Sequence, residues 1–362
     1  MTPTRIAFWP NTTDISVASY RIRCAQIRDG LAARGIPTSL YRPRGRFAAA
    51  SPVPDLLVLV KRTRDADLAA ALDLGRRHGT RLVLDLCDNI FFGGDAGDAA
   101  RLGGVLGGFD AIVTPSGFLR DAVAAHVPTG MRLPVIPDAV EAEPTPSPVA
   151  RLIAAPAFLR LSRLRAELAA SGVAEGRRLI WFGISGTRKS RNGLYDLAAF
   201  SDMLARHDAR APVSLTIVSD SRAKYRELFA GAGFRVRYLD WNFWTFNHCL
   251  RLHDIAVLPV RRNDYNWAKS ANRLTTAFAN GVAVAASAIP SYQPFHDSAL
   301  LDDWDEGLAR LMDAKPERLA RIAAARGTIE ADYTLAAASA KWASLLAGLS
   351  HTRHWTAAAT GP

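Results

Sequence analysis

The sequence predicts an α/β protein with two parallel-sheet domains, and three observations lead to that prediction. First, 362 residues are more than a single domain core usually holds. Second, short apolar runs alternate with amphipathic helical stretches, as expected for parallel strands covered by helices on both faces. Third, the alternation starts again after a break at 143–148, where prolines stand at positions 144, 146 and 148.

The first half reads as a Rossmann-like domain that spans 1–142. Apolar runs predict strands at 6–9, 39–41, 55–60, 82–86, 111–114 and 135–136. Helical spacing of apolar residues predicts helices at 19–35, 65–78, 98–107 and 115–126. Ser19 stands where a side chain can cap the first of these helices.

The second half repeats the pattern after a predicted linker at 143–155. Strands are predicted at 179–182, 213–218, 236–239, 255–259 and 282–286, and helices at 156–171, 192–206, 222–230 and 244–252. A further helix ends at Asn280 and Gly281, a pair that commonly caps a helix in the left-handed region. Later helices are predicted near 304–313, 316–326 and 333–348. We expect a second Rossmann-like domain over 156–330, a helix over 331–350 that packs back toward the first domain, and a frayed tail over 351–362.

Composition and charge narrow the class of partner. The formal net charge of +11 indicates an anionic partner such as a nucleotide, a nucleic acid or an acidic membrane surface. The sequence has no platform of aromatic and basic residues and no zinc-finger spacing, so we expect no nucleic-acid partner. It has no run of about 18 or more apolar residues and begins directly with a strand pattern, so we expect a cytoplasmic protein. Cys24, Cys87 and Cys249 share no metal-ligand spacing, so we expect free thiols and no metal site.

A basic amphipathic pattern lies in the predicted helix 156–171, where Arg160 and Arg163 stand beside Leu159, Leu161 and Leu164. Such a helix either packs on its domain core or presents a basic face to an anionic membrane. The second alternative would place the protein peripherally on the inner face of the membrane.

The segment 267–290, WAKSANRLTTAFANGVAVAASAIP, reads as a loop, a helix, a tight turn and a strand buried on both faces. Lys269 and Arg273 therefore lie at the N-terminus of a helix. Unpaired backbone N–H groups and the helix dipole at such an end suit a phosphate or a diphosphate, and two cations strengthen that preference. The alternative is a surface helix whose first turn happens to be basic.

Other loops follow the carboxyl ends of predicted strands, where open parallel sheets bind ligands. After the strand 179–182, Gly183 and Gly186 would let backbone N–H groups approach a phosphate that Arg188 and Lys189 could neutralise. This loop lacks both the P-loop ending and the third glycine of the dinucleotide fingerprint.

Two aromatic residues and two carboxylates also follow strand ends. Tyr238 and Trp241 could stack on a nucleobase, although aromatics at such positions often belong to the core. In the first half, Asp85 and Asp88 at one strand end could bind a metal or hold an acceptor hydroxyl. Asp88 lies past its strand and could face a cleft, whereas Asp85 reads as a structural partner.

Several phrases of the sequence resemble those of GT-B glycosyltransferases, particularly the retaining family 4-like enzymes. They are VIPDAVE at 135–141, DIAVLP at 254–259, ANGVAVAA at 279–286, and the C-terminal pairs YT at 333–334, KW at 341–342 and LL at 345–346. The resemblance covers nearly the whole chain. It implies two Rossmann-like domains that face each other across a cleft.

The resemblance also implies a nucleotide-sugar donor in the second half and a glycan or lipid-linked acceptor in the first half. Gly183, Gly186, Arg188 and Lys189 would approach the diphosphate on one side, and Lys269, Asn272 and Arg273 on the other. The residues from Tyr238 to Trp241 would hold the base, and Asp88 would lie near the acceptor.

One departure concerns the donor sugar. The paired glutamates of the family fall on Ala268 and Thr276, and we expect Thr276 together with Lys269 to replace part of their function. The implied reaction is hexosyl transfer with retention, without a metal or other required cofactor. A nucleotide-sugar epimerase and a non-catalytic ligand-binding protein of the same fold are the alternatives.

Overall fold

The computed structural model describes residues 4–43, 51–187 and 192–351. Contacts between residues divide the chain into two units. The N-terminal unit consists of Met1–Ala139 and Thr334–Pro362, and the C-terminal unit consists of Val140–Tyr333.

The N-terminal unit is built on a parallel sheet with strand order β2-β1-β3-β4-β5. Its strands are β1 (Ile6–Pro10), β2 (Thr38–Leu40), β3 (Leu56–Val60), β4 (Arg81–Asp85) and β5 (Ala111–Val113). The helices that connect them are α1 (Ala18–Tyr20), a π-helical turn (Arg21–Ala25), α2 (Gln26–Ala32), α3 (Asp65–His78), α4 (Ala96–Leu106) and α5 (Gly117–Ala124). The predicted strand at 135–136 is only an isolated bridge between Thr114 and Val135.

The first helix differs from its prediction. It starts at Ala18 after Val17, so Ser19 lies inside the first turn and does not cap it. Between α1 and α2 the backbone forms a π-helical turn, a feature that often re-aims side chains at functional positions. This turn buries Arg21 and Arg23, which an amphipathic α-helix would leave at its polar side.

The C-terminal unit contains a second parallel sheet with strand order β11-β10-β9-β6-β7-β8. Its strands are β6 (Arg178–Phe182), β7 (Ser214–Ser219), β8 (Arg235–Asp240), β9 (Ile255–Leu258), β10 (Ala283–Ala286) and β11 (Leu300–Leu301). Its helices are α6 (Pro148–Ala169), α7 (Leu194–Ala198), α8 (Ser201–Arg210), α9 (Arg222–Phe229), α10 (Phe246–Leu250), α11 (Asp264–Trp267), α12 (Asn272–Ala279), a 3-10 helix (Pro290–Phe295), α13 (Glu306–Asp313) and α14 (Lys315–Asp332).

The central strands of both sheets are buried on both faces, which explains their nearly continuous apolar sequences. In β6, Leu179 and Trp181 belong to one core cluster, and Ile180 and Phe182 belong to the cluster on the opposite face of the sheet. The predicted buried strand at 282–286 and the Asn280–Gly281 turn before it are confirmed, and Gly281 has a φ of 75°.

The predicted linker 143–155 is partly wrong, because helix α6 begins at Pro148 rather than at Pro156. Ser147 caps the helix through a hydrogen bond of 3.2 Å from the Ala150 N–H, and Pro148 stands in the first turn, where a missing N–H costs nothing. The predicted helix 192–206 is likewise two helices, α7 and α8, separated at 199–200.

The last helix, α15 (Leu335–His351), belongs to the N-terminal unit and packs against α2. Arg34 donates a hydrogen bond of 3.0 Å to the Ser339 hydroxyl, and the buried Trp342 ring lies 6.0 Å from the Phe8 ring. Beyond His351 the predicted frayed tail lies outside the described residues. No helix in the described part of the chain is both long and apolar enough to cross a membrane. All three cysteines are free, as predicted.

Candidate functional site

Each sheet has a position where the strand order reverses direction, and parallel sheets bind ligands at that position beyond the carboxyl ends of the strands. In the C-terminal unit the reversal lies between β6 and β9, which are neighbours in the sheet although they are distant in sequence. The segments after these two strands, 183–187 and 261–271, are therefore the first candidates for a ligand site.

The loop after β6 is held in a tight conformation that requires glycine. Gly186 has a φ of 73°, and a Cβ atom there would lie 2.0 Å from the Asn192 carbonyl oxygen. The Ser185 N–H donates to Asp220 Oδ1 at 2.6 Å, and the Thr187 N–H donates to Asn192 Oδ1 at 3.0 Å. The loop is thus preorganised by its own neighbours.

Lys224, on α9, adds a cation to this loop. Its Nζ atom donates hydrogen bonds to the Ser185 hydroxyl at 3.3 Å and to the Gly186 carbonyl. Lys224 was not among the predicted site residues, because two helices and one strand separate it from the loop in sequence and it lies in an ordinary amphipathic pattern.

The segment after β9 positions the start of helix α12. Asn263 caps α11 by accepting a hydrogen bond of 2.8 Å from the Asn266 N–H, and the buried Asn266 side chain donates to the Arg261 carbonyl at 3.1 Å. Lys269 follows, with Nζ 4.0 Å from the centre of the Tyr265 ring. Helix α12 then begins at Asn272, so the predicted helix N-terminus next to Lys269 and Arg273 is confirmed.

Arg273 connects the two segments. A Cβ atom on Gly183 would lie 3.5 Å from Arg273 Nη1, and the Arg273 guanidinium lies 6.0 Å from the centre of the Trp181 ring. The structure therefore brings together Gly183 and Arg273, two residues that the sequence analysis assigned to opposite sides of one ligand.

Asp196, on α7, contacts both segments and was not among the predicted site residues. Its buried carboxylate accepts hydrogen bonds of 3.1 Å from the Gly193 N–H and of 3.1 Å from the Arg261 N–H. Burial raises the pKa of Asp196 to about 6, although these hydrogen bonds and the nearby Arg273 oppose the shift. Asp196 thus ties the loop after β6 to the segment after β9.

Asn272 has a donor that suits an anionic ligand. Its Nδ2 atom is buried, and among the described residues it has no hydrogen-bond partner. A buried donor in this condition carries a desolvation cost that an acceptor such as a phosphate oxygen would remove. The atom belongs to the first residue of α12, where the helix dipole also favours negative charge.

The two aromatic residues predicted to hold the base pack against other side chains of this unit. The Tyr238 hydroxyl donates to the Ser219 carbonyl at 2.9 Å, and its ring packs between Arg222 and Tyr225. Trp241, just after the edge strand β8, lies 6.2 Å from Phe246. A role in holding the base remains a prediction for both residues.

Three other residues were predicted to contact the donor. Thr276 is buried within α12. Arg188 and Lys189 lie outside the described residues.

In the N-terminal unit the strand order reverses between β1 and β3. Asp88 lies past the end of β4 and forms an ion pair of 2.7 Å with Lys61, the residue that follows β3. Lys61 has a φ of 53°, a left-handed conformation that is uncommon for a residue other than glycine and that clusters at functional sites.

A pocket of about 240 Å³ lies beside this reversal, at the carboxyl ends of β1 and β2. Trp9 and Tyr41 form an edge-to-face pair at 5.3 Å, and the Arg62 guanidinium lies 4.5 Å from the centre of the Trp9 ring. Thr12 and Thr13 add hydroxyl groups to the wall. Aromatic faces next to hydroxyl and guanidinium groups suit a sugar ring.

A buried charge cluster stabilises the same unit. Arg23 is 2% exposed and donates to Asp85 Oδ2 at 3.0 Å, to Asp138 Oδ1 at 3.1 Å and to the Ile136 carbonyl at 2.6 Å. The prediction that Asp85 is a structural partner is therefore confirmed. Within residues 4–43, 51–187 and 192–351, no group of three or more His, Cys, Asp or Glu side chains could hold a metal ion.

No family model and no curated protein matches the sequence. Solved structures do match the fold. HepE from Anabaena, in complex with UDP and glucose, superposes with a TM-score of 0.65 at 14% identity, over 95% of this chain and 100% of that one. A glycosyltransferase from Rickettsia africae superposes with a TM-score of 0.68 at 11% identity, over 97% and 100%.

Sucrose-phosphate synthase from Thermosynechococcus elongatus gives a TM-score of 0.64 at 12% identity, over 95% of this chain and 99% of that one. These matches, together with the two parallel sheets, show that the chain has the GT-B fold. The predicted pair of Rossmann-like domains is confirmed.

Proposed function

We propose that the protein is a hexosyltransferase that moves a sugar from a nucleoside diphosphate donor to a glycan or lipid-linked acceptor. The observation that carries this proposal is the meeting of Gly183 and Arg273 where the strand order of the C-terminal sheet reverses. UDP is the proposed donor nucleotide, because HepE, a structure of the same fold, was solved with UDP and glucose.

The positive charges of this site would stabilise a nucleoside diphosphate as it leaves the donor. Breaking the glycosidic bond of the donor leaves negative charge on the β-phosphate, so groups that bind this charge more tightly in the transition state accelerate the step. Arg273, Lys269 and the N–H groups at the start of α12 are the proposed binding groups. Arg188 and Lys189 follow the glycine loop in sequence and are proposed to add further positive charge. With these cations the proposed transfer needs no metal.

Asp196 is proposed as a positioning residue. It accepts hydrogen bonds from the backbone of both segments, so it fixes the distance between the glycine loop and the segment that carries Arg273. A carboxylate ionised at neutral pH would also attract Arg273 and hold its guanidinium near Gly183.

The family's paired glutamates are replaced by the buried residues Ala268 and Thr276. Recognition of the donor sugar hydroxyls would therefore rely on Lys269 and Thr276 rather than on carboxylates from this helix. The resemblance to retaining enzymes supports retention of the anomeric configuration as part of the proposal.

The proposed acceptor site is the pocket lined by Trp9, Tyr41 and Arg62. The apolar face of a sugar ring would pack against Tyr41, since Trp9 is buried beneath Arg62, and its hydroxyl groups would bond to Thr12 and Thr13. Asp88, which follows β4, would accept a hydrogen bond from the reacting hydroxyl.

The test begins with a panel of nucleoside diphosphates and measures the increase in melting temperature. We expect UDP to raise it most. Product analysis with UDP-sugars and a panel of sugar acceptors then separates the alternatives. A transferase needs an acceptor, an epimerase yields free nucleotide and an altered sugar without one, and a binding protein yields no product.

The variant Lys269→Ala tests the assignment of this cation. We expect turnover to fall at least about tenfold while the melting temperature stays close to that of the wild type. Lys315→Ala, at an exposed lysine of α14 that pairs with Glu175, is the matched control. Unchanged turnover in Lys269→Ala would reject its role.

A further inference from the structure

Helix α6 carries an exposed apolar stripe that no contact among the described residues covers. Among the described residues, eight large apolar side chains are exposed, and four of them are on this helix. They are Val149, Leu152, Ile153 and Leu159, at 67%, 78%, 74% and 62% exposure. With Pro156, which is also exposed, they recur at helical spacing and form one continuous stripe, named here the α6 stripe.

The α6 stripe is not the face by which the helix packs on its own unit. That face contains Ala154, Ala157, Leu161, Leu164 and Leu168, all of them buried. At about 100° per residue the two sets are centred roughly 120° apart around the helix axis, so the α6 stripe lies beside the packing face and not within it. A helix that is apolar on both sides is normally buried on both sides, so the α6 stripe points to a missing partner.

The charges around the α6 stripe identify the kind of partner. Arg160 and Arg163 are exposed and continue the same side of the helix after Leu159. The helix has a single acidic residue, Glu167, which is paired with Arg237 at 3.2 Å. Apolar side chains next to arginines, without exposed acidic groups between them, match a layer of acyl chains beneath anionic headgroups.

We propose that the α6 stripe docks the protein on an anionic lipid surface, with α6 lying in the plane of the interface. Five residues are far fewer than the roughly 20 to 30 a side of a stable protein interface. A symmetric pair of copies with parallel α6 helices would also place Arg160 and Arg163 near the same arginines of the other copy. A lipid surface offers acyl chains to the apolar residues and anionic headgroups to the arginines.

The test is sedimentation of the full chain with vesicles of phosphatidylglycerol and phosphatidylcholine, and with vesicles of phosphatidylcholine alone. We expect binding to the anionic vesicles, weakened by salt. Leu152→Ser should weaken it severalfold, and Leu152→Ser/Ile153→Ser at least about tenfold, because both side chains would leave the acyl layer. Arg160→Glu/Arg163→Glu should also weaken it about tenfold or more.

The matched control is Leu319→Ser, the same change at a leucine of α14 that is 56% exposed and not part of the α6 stripe. It should bind anionic vesicles as the wild type does. Because all the replaced side chains are exposed, the variants should keep the wild-type melting temperature and their response to UDP.

Three results would overturn the proposal. The wild type could fail to bind anionic vesicles, or the double serine variant could bind them as well as the wild type. Alternatively, light scattering could reveal a wild-type dimer that the double serine variant converts to a monomer, which would assign the α6 stripe to self-association. The experiment uses neither donor nor acceptor, so its outcome is independent of the proposed function.

Discussion

The places where the two sheets reverse their strand order occupy the same topological position but contain different chemistry. Between β6 and β9, a glycine loop meets Arg273 and the start of a helix. Between β1 and β3, an aromatic pocket lies beside the ion pair of Lys61 and Asp88. The first arrangement suits a diphosphate and the second suits a sugar ring.

The two units also differ in whether their buried polar groups have partners within the described structure. The N-terminal unit neutralises Arg23 with Asp85 and Asp138 inside the structure, so these charges hold the chain together. In the C-terminal unit, the Asp196 carboxylate accepts hydrogen bonds from two backbone N–H groups. The buried Asn272 Nδ2 donor has no partner in the described structure. A completed charge network indicates a structural role, whereas an incomplete one indicates a place for a ligand.

The largest expected effect comes from breaking the completed network. Arg23→Met leaves Asp85 buried without its cation, so we expect the free energy of unfolding to fall by about 3–5 kcal/mol. Urea denaturation measures this change. Under native conditions UDP binding should persist, because the proposed donor site lies in the other unit.

A second replacement is the control for this prediction. Arg23→Met/Asp85→Leu removes both charges, and we expect it to recover at least half of the lost stability. If the double variant is as unstable as the single one, the pair does not act as proposed.

The next effect is on how the stability of the C-terminal unit depends on pH. His253 is buried between the Cys249 carbonyl and the Thr216 hydroxyl, and burial lowers its pKa to about 4. The unfolded chain takes up a proton below about pH 6.5 and the folded chain only near pH 4, so acidification favours unfolding.

His253→Gln should therefore lose less stability than the wild type between pH 7 and pH 4. The difference should reach about 3 kcal/mol at pH 4. Urea denaturation of both proteins across this range measures it. A difference that does not vary with pH would contradict the prediction.

A smaller loss of stability is expected from a change in the glycine loop, the segment 183–187 after β6. In Gly186→Ala the new methyl group would collide with the Asn192 carbonyl at a φ of 73°, so the loop must shift. We expect about 1–3 kcal/mol of lost stability and weaker UDP binding. Gly231→Ala is the control, because its methyl group would meet no atom within 4 Å. Equal UDP affinity in Gly186→Ala would show that the loop does not contact the nucleotide.

The smallest effect concerns the aromatic pocket. Tyr41→Ala removes one side of the pair with Trp9, and we expect the acceptor KM to rise about tenfold. The KM for the donor should not change. Steady-state kinetics with the best acceptor of the panel measures both values, and an equal change in both would place the pocket outside acceptor binding.

The sequence predicted the strands well because parallel strands buried on both faces leave continuous apolar runs. It also predicted α3 with both observed ends, since acidic residues occupy the first turn and Gly79 terminates the helix in the left-handed region. It missed the start of α6, because Ser147 and Pro148 resemble the linker before them although they also form a good helix start.

The site was predictable only where its residues adjoin a strand end or a helix start. Gly183 was identified because it follows a strand, and Arg273 because it stands at a predicted helix N-terminus. Lys224 and Asp196 were missed because their contacts depend on tertiary packing: α9 must approach the glycine loop, and β6 must lie beside β9. Nothing in the local sequence around either residue reports that arrangement.

The most direct test of the central claim is calorimetric titration of UDP into the wild type, Arg273→Ala and Arg262→Ala. Arg262 is the control, because its side chain is 75% exposed in the same segment and pairs with Asp302. We predict that UDP binds the wild type, that Arg273→Ala weakens binding about 10- to 100-fold, and that Arg262→Ala changes it little. Equal UDP affinity in the wild type and a folded Arg273→Ala protein would contradict the account.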